Sequence, residues 1–391
     1  MSKIIGEGIK GIRRSKLFQV NVLYSAAGGL YYPAIPLYLR GLGINVNLTS
    51  LILSGLSLSG FISAVLWGRL ADSPSRRRRI ITITVISGAL LYMILALPLP
   101  LMGFIIILLL ANLMAPGAIP VIMAEASGWV NATEEMGYYW IGGSLGYSLT
   151  TAFTGLILER LGIGLIFLIS SILILGVYMV SRSMNFSSIR KESTEVIKGV
   201  QSNGISSAFW LLVFSIIIFL FTDVAKNLYI PVFYAFNLGM GYALSTLTLS
   251  IEAFLEIPVI YASTKMLNRV NAWLIFGLSL ILAGFFYILN AFIPPDPLYA
   301  FLVMSSYSLV WGTYSVSSTE LVARLTDLRR RGTAYGVYNS AFPIANIIGP
   351  LYIGYVISAS GYRHGLIYLS IPALVLGIII LKYTKHNSSI S

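Results

Sequence analysis

The chain has 391 residues, of which 57% are hydrophobic and only 10% charged, and its mean hydropathy is +0.84. That apolar share exceeds the roughly half-apolar usage of soluble domains, more than a water-soluble fold can bury. The lack of cysteine excludes disulfides, thiolate metal sites and cysteine nucleophiles, and the formal charge of +12 is set against membrane topology before nucleic acid, because membrane proteins gather Lys and Arg on their cytoplasmic side.

In chain order, a basic start (Lys3, Lys10, Arg13, Arg14, Lys16) leads into an apolar stretch that carries Gln19, Asn21 and Tyr24. It runs too long for the core of a signal peptide and is expected to be a retained first span. About 20 apolar residues suffice to cross a bilayer as a helix. Breaks at Gly, Pro and charge clusters divide the chain into twelve such stretches, at 17–39, 48–68, 80–98, 101–124, 137–158, 163–181, 207–235, 242–264, 272–292, 298–322, 333–357 and 363–383. The pattern predicts an all-α polytopic membrane protein of twelve transmembrane helices, expected to act as a monomer in the cytoplasmic membrane. With both termini inside, every Lys and Arg except Arg40, Arg160, Lys226 and Arg363 falls on the cytoplasmic side, which fixes the orientation.

The polar stretch 183–206 (SMNFSSIRKESTEVIKGVQSNGIS) separates six spans from six and is expected to be a cytoplasmic linker between bundles 1–182 and 207–391. An internal repeat supports this division. At a constant offset of 195 residues, Ile35-Pro36 matches Ile230-Pro231, Ser50 matches Ser245, Val121 matches Val316, Glu125 matches Glu320 and Gly137 matches Gly332. Farther on, GLIFLISSILILG from Gly164 matches GLIYLSIPALVLG from Gly365 at seven of thirteen positions. Two parallel, pseudo-symmetric six-helix bundles are the arrangement expected of a rocker-type secondary transporter, with its site near mid-membrane.

Between the second and third spans stands WGRLADSPSRRRRI, Trp67 to Ile80. Gly68 permits close helix approach, Asp72 suits the exposed N–H groups of a neighbouring helix N-terminus, and Arg78 and Arg79 are topology anchors. The stretch resembles the Gly-x-Leu-x-Asp-basic-x-Gly-basic-basic loop of the major facilitator superfamily at Gly68, Leu70, Asp72, Arg76 and Arg77, with Ser73 and Ser75 in place of a basic residue and the glycine. The resemblance implies a cytoplasmic gate of Gly68, Asp72, Arg76 and Glu125, with Glu320 as the second-half counterpart of Glu125 and Asp72 facing the helix that begins near Gly332.

Ionisable groups within spans cost roughly 2.5–3.5 kcal/mol each on insertion scales and mark function. The first half has none at depth. The second half has Asp223 and Lys226 in LFTDVAKNLYIP, and Glu252 and Glu256 in LSIEAFLEIP. Spacings of three and four place each pair on one helix face. Two neighbouring carboxylates repel in a low dielectric, so at least one is expected to titrate well above its solution pKa, as a proton-coupling site requires; the alternative for Asp223 and Lys226 is a structural ion pair, and for Glu252 and Glu256 the lining of a wet cavity without coupling. The segment Glu256-Ile257-Pro258 is also similar to the eighth helix of sugar-efflux members of the superfamily, and the acids here and in the seventh span are similar to those of oligosaccharide/proton symporters.

The superfamily fold turns spans 1, 4, 7 and 10 toward a central cavity, which implies Asn21, Tyr24, Asn112, Asn227, Trp311 and Tyr314 as substrate-binding residues. Aromatic faces with amides and hydroxyls suit sugar-like or amphipathic, drug-like molecules. The lack of an arginine cluster at that depth argues against phosphates and dicarboxylates. The Gly-Pro signature of the drug antiporters is absent from the fifth span, where Thr154-Gly155 stands, so the direction of transport stays open.

The expected function is therefore secondary active transport of a small organic solute by alternating access, driven by the proton gradient with no cofactor, metal or nucleic-acid partner. A proton symporter of a neutral solute is one alternative, a transporter-like receptor or lipid flippase another. An intramembrane enzyme lacks support, because neither His364 nor His386 lies at mid-membrane depth.

Overall fold

The computed structural model describes residues 15–71, 73–126, 132–184, 207–267, 269–326 and 331–387. Among these the chain is helical throughout, in eleven helices. The first six are α1 (Lys16–Gly41), α2 (Val46–Leu70), α3 (Pro74–Leu95), α4, α5 (Ala132–Leu161) and α6 (Ile163–Arg182). In α4, Leu101–Met114 passes through a 3-10 turn, Ala115–Gly117, into Ala118–Ala126. Next comes α7 (Ser207–Asn237), whose last turn, Phe233–Asn237, is a π-helix. After it follow α8 (Gly241–Met266), α9 (Ala272–Phe292), α10 (Pro297–Arg324) and α11 (Arg331–Asn387).

Local chemistry sets the ends. Pro74 and Pro297 occupy first-turn positions, where a missing N–H costs nothing and a fixed φ favours the helix. Asn271 accepts the Trp273 N–H at 2.8 Å and Asp296 accepts the Leu298 N–H at 2.8 Å, each satisfying one of the donors orphaned at a helix start. Between α5 and α6, Gly162 turns the chain at φ 82°, a conformation that costs glycine little.

The twelve expected spans do not appear as twelve helices. Nine helices are long and apolar enough to cross a membrane among the described residues. The exceptions are α1 and α10, diluted by amide, hydroxyl and glycine residues along their lengths. The last two expected spans are merged in α11, whose 57 residues amount to about 86 Å of helix against a hydrocarbon core of about 30 Å. Gly361, at φ 76° and ψ 168°, is the non-helical residue inside it.

The chain divides into two compact units, one of Met1–Tyr38 with Gly55–Ile197, the other of Leu39–Ser54 with Lys198–Ser391. In the first, α3 packs on α4 and α6 around Tyr92, Phe104 and Phe167, whose ring centroids lie 5.8–5.9 Å from Phe167. Tyr31 joins this cluster at 5.4 Å from Tyr92, and Tyr38 lies 5.4 Å from Phe104; both pack between helices. Close approach of α1 and α5 rests on glycine: a Cβ at Gly142 would stand 2.6 Å from the Phe18 carbonyl oxygen, and one at Gly146 would meet that of Val22. This is the small-residue packing expected of membrane helices. In the second unit, α9 packs on α10 and α11, α8 on α10 and α7 on α11, around a fully buried aromatic core that includes Phe219, Tyr234, Tyr287, Tyr307 and Tyr314. There the start of α2 is tied in by Ser50, whose hydroxyl lies 2.5 Å from that of Tyr229; Tyr229 in turn donates to the Pro350 carbonyl at 2.9 Å.

Candidate functional site

The charged residues of α7 and α8 meet within the second unit. Lys226 Nζ stands 2.9 Å from Glu252 Oε2, with side-chain exposures of 4% and 1%, so the pair is out of water. Its ammonium also lies 4.7 Å from the ring centroid of Tyr307 on α10, within cation–π range. The i, i+3 ion pair between Asp223 and Lys226, one of the two expectations for these residues, is not formed. Asp223 is instead served by neutral donors, the Asn227 amide at 3.0 Å and the Tyr307 hydroxyl at 3.3 Å. Glu256 is buried one turn beyond Glu252, and Asp223 is half-buried. Three carboxylates therefore surround one base. Breaking such a pair by removing one partner is strongly destabilising, because the other charge is left unpaired.

An aromatic wall stands one turn before Asp223. Phe219 stacks on Tyr314 with centroids 3.6 Å apart, and Trp311 lies 6.3 Å from Phe219 and 5.5 Å from Tyr314. Trp311 and Asn227 are half-buried, whereas Tyr314 is fully buried. Sequence reasoning did not single out Tyr307 or Tyr287, although Tyr307 holds both Asp223 and Lys226 and Tyr287 donates its hydroxyl to the Thr222 carbonyl. Their signal was faint, since a lone tyrosine in an apolar span is ordinarily packing.

In the first unit the predicted amides hold helices together. Asn21 is 4% exposed; it donates to the Tyr139 carbonyl of α5 at 2.7 Å and accepts from Ser25 at 3.1 Å. Asn112 donates to the Leu56 carbonyl of α2 at 2.5 Å. Tyr24 is half-buried on α1. These three belong to the first unit.

The sequence profile of the Major Facilitator Superfamily matches residues 17–342. The chain belongs to the Major Facilitator Superfamily. As a member of that superfamily it is a multi-pass secondary transporter. No curated protein sequence matches it. Solved structures of superfamily-type transporters share its fold. One is a POT family transporter in complex with a thioalcohol-conjugated peptide, 14% identical, with 96% of each chain covered and a TM-score of 0.79. Another is the nucleoside transporter NupG, 15% identical, covering 94% of this chain and 98% of its own, at 0.72. A third is a bacterial homologue of the human lysosomal transporter Spinster, 15% identical, covering 93% and 94%, at 0.69.

Within the superfamily's loop signature, Asp72 lies outside the described residues, as does the side chain of Glu125. Arg76 is exposed, while its half-buried neighbour Arg77 donates to the Ala71 carbonyl at 3.0 Å, tying the start of α3 to the end of α2. Glu320 accepts from Arg324 at 2.7 Å in an exposed i, i+4 pair. Gly68 is not the point of close approach: a Cβ there would sit 3.8 Å from Pro120, an ordinary contact. That point lies one residue earlier, where the Trp67 indole donates to the Leu113 carbonyl at 3.0 Å and a Cβ at Gly117 would collide with the ring, 2.7 Å from Cγ.

Proposed function

We propose that this transporter moves a small organic solute, sugar-like or amphipathic, across the cytoplasmic membrane by alternating access, and that protons drive it through Asp223, Lys226, Glu252 and Glu256. The observation that carries this reading is the buried Lys226–Glu252 ion pair at 2.9 Å with two further carboxylates on the same two helices. A low-dielectric site holds uncompensated negative charge only at a cost of several kcal/mol. Proton uptake removes that cost, and proton release restores it, so the protonation state and the ion pairing of the cluster are linked. Besides these four, Tyr287 of α9, Tyr307 and Tyr314 of α10 and Tyr338 of α11 are titratable groups of the second unit's charged and aromatic cluster.

The test is flux in proteoliposomes. A thermal-shift screen against sugars, nucleosides, amino acids and cationic dyes supplies a solute, and a trapped pH dye reports proton movement. Solute addition is expected to move protons with the wild type, and Glu256→Gln is expected to abolish the dependence of flux on a pH gradient while leaving solute-driven exchange. Unaltered pH-driven flux in both Glu252→Gln and Glu256→Gln would overturn the coupling assignment.

A further inference from the structure

Around Asp223, hydrogen-bond acceptors outnumber donors. Among the described residues of α7 and α8 in this cluster the one ammonium, on Lys226, already faces Glu252 Oε2 and the Tyr307 ring. Asp223 receives only the Asn227 amide and, at 3.3 Å, the Tyr307 hydroxyl. Glu252 Oε1, fully buried in the same cluster, faces no base and has the Glu256 carboxyl as its neighbour. Three carboxylates thus share one ammonium, and a carboxylate left without a base in a low dielectric is stabilised by a cation from outside. Asp223 and Asn227 are half-buried where Lys226 and Glu252 are sealed, so Asp223 is the acid that a solute reaches.

We propose that Asp223 binds the ammonium group of a small organic cation, so that the solute is a protonated amine with an apolar or aromatic body. This deepens the transport reading above and rests on it. The carboxylate offers charge-assisted hydrogen bonds to an N–H group, and the excess of acids over bases repels an anion. Phe219 precedes Asp223 by four residues, on the same helix face and about 6 Å down the axis. Phe219 and Tyr314 are fully buried and back the half-buried Trp311, whose exposed part is the aromatic surface offered to an arylethylamine with its nitrogen on Asp223. A ring and an amine bound in this way satisfy both the apolar wall and the acceptor excess, which a neutral sugar does only in part.

The experiment uses the full chain in lipid nanodiscs and three matched probes: tyramine as cation, 4-ethylphenol as its neutral counterpart and 3-(4-hydroxyphenyl)propanoate as anion. Binding is read by tryptophan fluorescence and by Tm. Tyramine is expected to bind and the other two not to. Asp223→Asn is expected to weaken tyramine about tenfold or more, the scale of one lost charge-assisted bond, while Asp223→Glu, which keeps the charge, retains most of the affinity. Glu159→Gln, exposed on α5, serves as the unaffected control. Binding of the neutral or anionic probe as tight as that of tyramine overturns the proposal, as does tyramine binding that is unchanged in Asp223→Asn or absent from the wild type. Reconstituted proton movement separates the two readings. Protons moved by a neutral solute and not by tyramine leave the transporter standing and remove the cation site. Asp223-dependent tyramine binding without proton movement does the reverse for coupling.

Discussion

Lys226 is paired across helices and not along its own. Spacing of three residues put it on the face of Asp223, and that much was legible in the sequence; which acid its ammonium takes is decided by how α8 seats against α7, which no local rule contains. With Glu252 fully buried, removing one partner strands the other. Lys226→Met or Glu252→Gln alone is expected to cost about 3–5 kcal/mol, visible as a lower Tm in detergent, and the double variant Lys226→Met/Glu252→Gln should recover much of that loss, since neither charge is left alone. Additive losses in the double variant would show that the pair is not coupled. Asn21 and Asn112 teach the converse: polar residues in spans attract attention as ligands, but an amide in a membrane helix also needs a partner, and here a neighbouring backbone carbonyl is that partner.

At the scale of helices, composition marked the elements well and their junctions less well. The two helices that fall short of membrane-spanning apolarity, α1 and α10, are among those the sequence assigned to a cavity; the same serine, asparagine and glycine content explains both. Gly361 was visible only as one more glycine, because positive φ has no signature without the flanking geometry. At φ 76° and ψ 168° it occupies a region almost closed to other residues, so Gly361→Ala is expected to destabilise the protein by about 1–3 kcal/mol. A thermal melt no lower than wild type would refute this. The glycine of the loop signature behaves differently from its neighbour. Gly68→Ala should fold with a Tm near that of wild type, because its methyl meets Pro120 at 3.8 Å, whereas Gly117→Ala, which drives a methyl into the Trp67 ring, should lower the Tm or the folded yield. Equal tolerance at both positions would contradict the packing.

For the whole molecule, the repeat at offset 195 and the superfamily profile over residues 17–342 describe the same inheritance, one as internal likeness and one as likeness to other chains. The inside-positive pattern gives the expected orientation, with the N-terminus on the cytoplasmic side. Because the chain has no cysteine, single substitutions report topology without a background to remove. Ser75→Cys, exposed at the start of α3, should react with a membrane-impermeant maleimide only from the cytoplasmic side, and Leu42→Cys, exposed just after α1, only from outside. Reaction of Ser75→Cys from outside would invert the assignment.

The repeated Ile-Pro dipeptide has a mechanical meaning. Proline has no N–H, so Pro36 in α1 and Pro231 in α7 cannot donate to the carbonyls four residues back, on Tyr32 and Asn227. Each bundle thus carries a soft joint at the same place in its first helix. In α7 the joint falls just after the residue that holds Asp223, and the π-helical turn Phe233–Asn237 follows it. The missing backbone bond separates the stretch at and after the joint, held by the Tyr229 and Tyr234 hydroxyls, from the turn before it, in which Asn227 and Tyr307 hold Asp223.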